Sequence, residues 1–318
     1  MEEIRCIFCN KSTNHIIIEE NGYKGRKCPT CGLVYISPRP SYSEILDSYR
    51  LDQAHTSAKS QISAVVSRKL VAKHHLQIIK KFIESSSMLE IGAGAGYFLD
   101  EARKLGFDVY AIEVNKTLAK FIRRKLGIPC EEHHLNVSSF GGKKFEIIYH
   151  CDVISHFCDP ISEFEKINNK LKKGGLVVFE TGNVGDVEEK YYKYFPSFQY
   201  PDHLFFFSVD NLKKLLSRTG FELISIYQFS ILAELILLRM IKCLIPAKPN
   251  APEKLEGRNG RSYSHIEARE SFLKQTITNF FFCFDFLVRY KLGYLLPKKG
   301  RPQTIIIVAR KNDFQMSF

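Results

Sequence analysis

The sequence predicts an α/β protein with a mostly parallel sheet, a small cysteine ribbon before it and a helical insertion ahead of its last strand. Three observations carry this. From Ser86 to Tyr227, short apolar runs alternate with helical patterns. Two Cys-x2-Cys knuckles stand near the N-terminus. About 75 residues separate the last two predicted strands, where a turn of roughly two to five would suffice.

Composition bounds the answer. The chain has 318 residues, of which 45% are hydrophobic, so it can build a real core. No repeat of about 20–50 residues is present, which excludes a solenoid. Met-Glu-Glu-Ile-Arg-Cys at the N-terminus has no basic region leading into an apolar one, so a cytoplasmic, reducing location is expected. No apolar stretch reaches the roughly 18 residues of a membrane span. The net charge is +12, and from Arg239 onward 15 Lys/Arg stand against 6 Asp/Glu. That concentration favours an anionic partner or is simply a solvated basic face.

The elements follow in order. Residues 1–40 form the ribbon, with β-like runs at Ile16–Ile18 and Leu33–Ile36. The module is too short to fold on apolar burial alone. Residues 41–85 form a helical linker or lid. Ser41-x-x-Glu44 is a capping box, and apolar spacing predicts one long helix from about Gln61 to Ile83. Residues 86–228 form the sheet domain. Its predicted strands are Met88–Ile91, Val109–Glu113, a short one near Cys130, Phe145–His150, Leu176–Glu180 and Phe221–Tyr227. Its predicted helices are Tyr97–Leu105, Leu118–Lys125, Ile161–Leu171 and Leu212–Thr219. Residues 229–302 are the insertion, and 303–318 hold the last strand, Thr304–Val308, and a tail.

Cys6, Cys9, Cys28 and Cys31 carry the first chemical signal. Two knuckles 18 residues apart can set four thiolates tetrahedrally around Zn²⁺. Four thiolates close the coordination shell, so such an ion is structural. The alternative is four free cysteines or a redox pair.

The second signal is the strand–turn–helix run Glu90-Ile-Gly92-Ala-Gly94-Ala-Gly96-Tyr97. Glycines let the backbone approach a nucleotide closely. The third glycine comes one residue too early for a pyrophosphate-binding G-x-G-x-x-G loop, which argues against a nicotinamide dehydrogenase. An acidic Glu90 before the loop suits a ligand bearing an amino group. Glu113, closing the next strand, suits ribose hydroxyls.

These residues resemble class I S-adenosylmethionine-dependent methyltransferases. Glu90–Gly96 and Glu113 are similar to that family's first two motifs. Phe145-Glu-Ile-Ile-Tyr-His-Cys-Asp-Val-Ile-Ser-His-Phe-Cys-Asp-Pro160 is similar to its fourth-strand motif, and Leu171-Lys-Lys-Gly-Gly-Leu to its fifth-strand entry. The resemblance implies a Rossmann-like seven-stranded sheet whose last strand runs antiparallel. It implies S-adenosylmethionine as cofactor, with Tyr97, Val114, Leu135 and Asp152 joining the glycines and the two glutamates as donor-binding candidates.

A narrower resemblance joins the ribbon to this domain. Cys-x2-Cys…Cys-x2-Cys-Gly-Leu-Val-Tyr-x2-Pro-Arg-Pro, with Tyr200-Pro-Asp-His-Leu-Phe-Phe-Phe-Ser208, resembles zinc-containing sugar C-methyltransferases and their relatives in polysaccharide biosynthesis. There the second segment reads Tyr-His-Glu-His-Leu-Ser-Tyr-Phe-Ser, with its Glu-His pair at the reacting carbon. The matching pair here is Asp202 and His203, with Tyr200 two positions before. His203 suits a general base at neutral pH, and Asp202 or His156 are further candidates. The chain departs from the family in Ser155-His156, where Glu-His is usual, and in Asp202, where Glu is expected. C-methylation and O-methylation therefore both stay open.

The insertion carries two apolar runs, Ile231–Ile245 and Phe272–Leu296, joined by a polar loop over 246–261. They fit a peripheral membrane contact, a lid over the site or a dimer surface. The leading expectation is methyl transfer to a small-molecule or lipid-linked sugar. The alternatives are an RNA methyltransferase that uses the ribbon and basic surface, and a non-catalytic adaptor that keeps the donor fold. No (D/N)-P-P-(Y/F) follows the fourth strand, so nucleic acid is not the expected partner.

Overall fold

The computed structural model describes residues 1–50, 57–136, 138–237 and 282–312. Two sheets organise them. The first has four antiparallel strands: β1 (Ile16–Glu20), β2 (Tyr23–Lys27), β3 (Val34–Ile36) and β9 (Phe205–Phe206). The ribbon's sheet thus takes its fourth strand from far along the chain. β2 was not anticipated, because Tyr-Lys-Gly-Arg-Lys shows no apolar alternation. A local signal was present in Asn21–Gly22, which turns the β1–β2 hairpin with φ of 53° and 81°. A two-residue turn with both φ positive matches the twist of the flanking strands.

Three helices follow: α1 (Tyr42–Arg50), α2 (Ala58–Ser63) and α3 (Val65–Ile79). The Ser41–Glu44 capping box forms: the Ser41 N–H donates to Glu44 Oε2 at 2.8 Å, and the Glu44 N–H to Ser41 Oγ at 3.4 Å. The single helix expected from Gln61 to Ile83 is two helices that break at Ala64 (φ −79°, ψ 36°) and stop at Ile79. At the break, the Ile62 carbonyl accepts the Tyr97 hydroxyl at 2.6 Å instead of continuing a helical ladder.

The second sheet has seven strands: β4 (Ser87–Ile91), β5 (Asp108–Ile112), β6 (Cys130–Glu131), β7 (Phe145–Cys151), β8 (Leu171–Gly182), β10 (Phe221–Ser230) and β11 (Gln303–Lys311). Their order is β10-β11-β8-β7-β4-β5-β6. All pairs from β8 to β6 are parallel, and β11 runs antiparallel to both neighbours. The helices between them are α4 (Tyr97–Lys104), α5 (Lys116–Phe121), α6 (Pro160–Lys170) and α7 (Val209–Arg218).

Strand period explains the two cores. On β11, Ile305, Ile307 and Ala309 join one apolar cluster, whereas Ile306 and Val308 join the other. The central strands are buried on both faces, so they read as continuous apolar runs. Each such isoleucine contributes about 1.5–3 kcal/mol by burial. The first cluster contains Phe164 of α6 and Leu212 of α7 and continues into the ribbon through Val34, Tyr35 and Ile36. The second contains Leu76 of α3 and Leu99 of α4.

Of the insertion, residues 232–237 and 282–292 are described as helical. The polar loop over 246–261, the end of the first apolar run and the start of the second lie outside the described residues. Among the described residues, no helix is long and apolar enough to cross a membrane.

Candidate active site

Parallel strands leave their C-terminal ends open to a ligand where the strand order reverses. Here β4 leads to β5 on one side and β7 on the other, and a cavity of about 610 Å³ lies over those ends. Gly92, Gly94 and Gly96 turn the chain from β4 into α4 with φ of 67°, 55° and 74°. A Cβ on Gly92 would stand 2.8 Å from Val153 Cγ2, so the loop can pass this close to the turn after β7 only as glycine.

Two carboxyls border the loop. Glu90 on β4 is buried, and its Oε2 has no hydrogen-bond partner. Burial, reinforced by the nearby Glu113 charge, raises its pKa well above the ordinary range. A ligand ammonium would satisfy that oxygen. Glu113 accepts the Gly94 N–H at 2.7 Å and the Asn115 N–H at 2.8 Å. Burial pushes its pKa up to about 7 against the pull of these bonds. Each oxygen keeps a lone pair for a ribose hydroxyl. These groups fit an amino-acid-bearing nucleoside such as S-adenosylmethionine. Tyr97, Val114, Leu135 and Asp152 line the same cavity. Asp152 sits after β7 with φ 53° and is exposed at the cavity.

The histidines meet next to this. His156 ends a short 3₁₀ turn, Ile154–His156, and its ring packs edge-on against His203 at 4.7 Å between centroids. Leu204 explains the meeting. Its N–H donates to the Ser155 carbonyl at 2.7 Å, and its carbonyl accepts the Ile36 N–H at 3.0 Å. One backbone residue therefore ties the β7 turn, the 199–207 segment and the ribbon together. His156 Nδ1 lies 2.8 Å from the Asp202 carbonyl and 2.6 Å from the Tyr49 hydroxyl. The carbonyl can only accept and the hydroxyl can donate or accept, so Nδ1 is held between the two.

One expectation changes. Tyr200 does not line the cavity. It is buried behind the wall, and its hydroxyl fills the space a Cβ on Gly25 would need. Asp202 and His203, which follow Pro201, line the cavity instead, and the Asp202 backbone carbonyl meets His156.

Among the cavity-lining residues that escaped the sequence reading are Tyr49, Asn115, Arg68 and Arg289. Asn115 had a signal, since its side chain caps α5 directly after Glu113. Tyr49 had none, because its partner is 107 positions away. Arg289 forms a bidentate pair with buried Glu234, at 2.9 and 2.6 Å. Beside it the Tyr290 hydroxyl donates to Glu180, which also bonds His75. Burial would raise Glu180, but the His75 charge and these bonds hold it down at about 2.

The sulfurs of Cys6, Cys9, Cys28 and Cys31 all lie within 4.8 Å of one another. That is a compact set of soft donors of the kind zinc takes at about 2.3 Å. The ribbon bearing them braces the cavity wall. Glu20 accepts the Phe198 and Tyr200 N–H groups at 3.0 and 2.8 Å, and Asn21 donates to the Tyr200 carbonyl at 2.8 Å.

Comparison with known proteins agrees with this geometry. A family described as "Methyltransferase domain" matches residues 66–226. The ubiquinone biosynthesis O-methyltransferase of Ruegeria pomeroyi is 28% identical over 101 residues, which is 30% of this chain and 41% of that protein. The tRNA U34 carboxymethyltransferase of Campylobacter jejuni is 29% identical over 175 residues, 49% of this chain and 55% of that protein. The chain thus spans about half the length of these relatives or less. The phosphoethanolamine N-methyltransferase 2 of Haemonchus contortus, solved with phosphomonomethylethanolamine and S-adenosylhomocysteine, superposes with a TM-score of 0.51 at 16% identity, covering 88% of this chain and 63% of that one. The strand order, the glycine loop and the family match over half the chain lead to one conclusion: this protein belongs to the methyltransferase-domain family and has the class I S-adenosylmethionine-dependent methyltransferase fold.

Proposed function

We propose that this chain transfers the methyl group of S-adenosylmethionine to a hydroxyl of a sugar, glycan or glycolipid precursor. One observation carries the reading: the glycine loop with Glu90 and Glu113 shares a single cavity with the His156–His203 pair. Bound along that loop, S-adenosylmethionine supplies a methyl group already activated on a sulfonium. Glu90 holds the ammonium and Glu113 the ribose. The protein's remaining work is alignment and proton removal. His156 would take the proton of the acceptor hydroxyl as that oxygen accepts the methyl group from the sulfonium. His203 packs on His156 from the acceptor side and is the second candidate base.

The sugar assignment rests on the ribbon motif and the Tyr200–Ser208 segment. Its support is that β3 and β9, from those two stretches, pair in one sheet beside the cavity. Oxygen as the attacking atom is favoured by the names of relatives such as the Ruegeria enzyme. The four cysteines would hold a structural zinc ion that fixes the ribbon.

The test is transfer from methyl-labelled donor into a cell extract separated into lipid, nucleotide-sugar and RNA fractions. Label in the lipid or nucleotide-sugar fraction is expected. RNase-sensitive label would overturn the reading in favour of an RNA acceptor, the direction in which the Campylobacter relative's name points.

A further inference from the structure

The helical segment 282–292 carries both buried and exposed apolar residues. The buried ones are accounted for. Val288 and Tyr290 are buried, and the Tyr290 ring packs on Phe229 at 5.2 Å and on His74 at 4.5 Å. The exposed positions ought to be polar, as on other surface helices. Instead Phe282, Phe284, Leu287 and Leu292 are exposed, and the following turn adds Tyr294 and Leu295. Leu292 is 54% exposed and Leu295 77%. Scattered single apolar residues on a surface need no explanation, but six exposed within fourteen positions call for one.

Among the described residues, the charge around this segment is mostly positive. Lys291 and Lys299 are exposed, with Lys298 and Arg301 half-buried beside them. The nearby acids are committed. Asp285 lies 3.7 Å from Arg289, and Glu188 pairs with Lys190. Apolar side chains beside lysines without a carboxylate partner among the described residues match a membrane interface, where burial among acyl chains and attraction to anionic headgroups add. The segment is also tied to the cavity. Arg289 and Ile231 line it, and Tyr290 bonds Glu180, next to the lining residue Thr181.

We propose that residues 282–301 dock this protein on an anionic lipid surface, with Leu287, Leu292, Tyr294 and Leu295 entering the interface and Lys291 and Lys299 meeting headgroups. Docking would bring the protein to the membrane surface, where a lipid-linked acceptor is presented. The surface stands independently of the methyl-transfer reading, because its test contains neither donor nor acceptor.

The test is cosedimentation of the full chain with vesicles of phosphatidylcholine alone, or of phosphatidylcholine with about one-third phosphatidylglycerol. Binding to the anionic vesicles alone, weakened by salt, is expected. Lys291→Glu with Lys299→Glu should weaken it by about tenfold or more, since each basic residue near such a surface contributes severalfold. Leu287→Asp with Leu295→Asp should abolish it without a change in Tm, since both side chains are exposed in the fold. Three results would overturn the proposal: equal, weak binding to both vesicles; a Tm that collapses in the leucine variant while vesicle binding persists, which places the face inside the fold; or a concentration-dependent dimer that the leucine variant dissociates, which gives the face to a second copy.

Discussion

The donor and acceptor sides of the cavity are built in opposite ways. The donor side comes from one short stretch. Glu90, the three glycines, Glu113 and Asn115 lie within 26 positions, and β4 pairs directly with β5 to place them. The acceptor side is assembled from α1, the β7 turn, the 199–207 segment, the ribbon and the feet of the insertion. Its central contact, His156 with His203, spans 47 positions and is closed by the backbone of Leu204. A site made from neighbours in sequence is held by the sheet itself. A site made from distant segments depends on each tie between them, so damage to it should separate cleanly from donor binding.

The largest effect expected is at the donor side. Gly92→Val places a β-branched side chain at φ +67°, where its Cβ alone would stand 2.8 Å from Val153. Backbone strain and collision together cost several kcal/mol locally. Titration calorimetry should show donor affinity falling by more than about a hundredfold, while far-UV circular dichroism stays native. Near-normal donor binding would mean that the loop does not carry the donor.

Next come the acceptor-side histidines. His156→Ala should lower kcat by about 10²–10⁴-fold and leave donor affinity unchanged. Tyr49→Phe keeps the ring against His156 and removes the hydroxyl 2.6 Å from Nδ1. Tyr49 is a positioning residue, so kcat should fall by about tenfold and the pH–rate profile should shift, with acceptor KM little changed. If His203→Ala alone abolishes turnover while His156→Ala does not, the base assignment reverses.

The same contrast explains what could be read from the sequence. The seven-stranded sheet was legible because apolar runs and glycine turns are local, and β11 was found across the long insertion because Thr304–Val308 is a continuous apolar run. The glycine loop and Glu113 were legible for the same reason. β2 was missed because a ribbon strand held beside four cysteines needs little apolar alternation. β9 was missed because two residues make no pattern. Tyr200 was placed in the catalytic set because a linear motif does not say which of its side chains turn inward. Tyr49 and Arg289 had no signal, since their meaning lies in partners that folding brings in.

The smallest effect belongs to the ribbon, and it sharpens the contrast most. Glu20 lies on β1, yet it accepts two N–H groups from the segment that carries His203. Gln at this position keeps the shape and one acceptor oxygen but loses the charge that strengthens both bonds. Glu20→Gln should therefore raise acceptor KM by about threefold to tenfold, the size of roughly 1 kcal/mol, with donor affinity unaltered. Elemental analysis of the wild type should find one equivalent of zinc, and chelation should reproduce the Glu20 phenotype and exceed it, because the whole ribbon then loosens against β9. Less than about half an equivalent of metal would remove zinc from the ribbon. Donor affinity falling in parallel with acceptor affinity would show that the two sides of the cavity are held as one unit, and the distinction between them would fail.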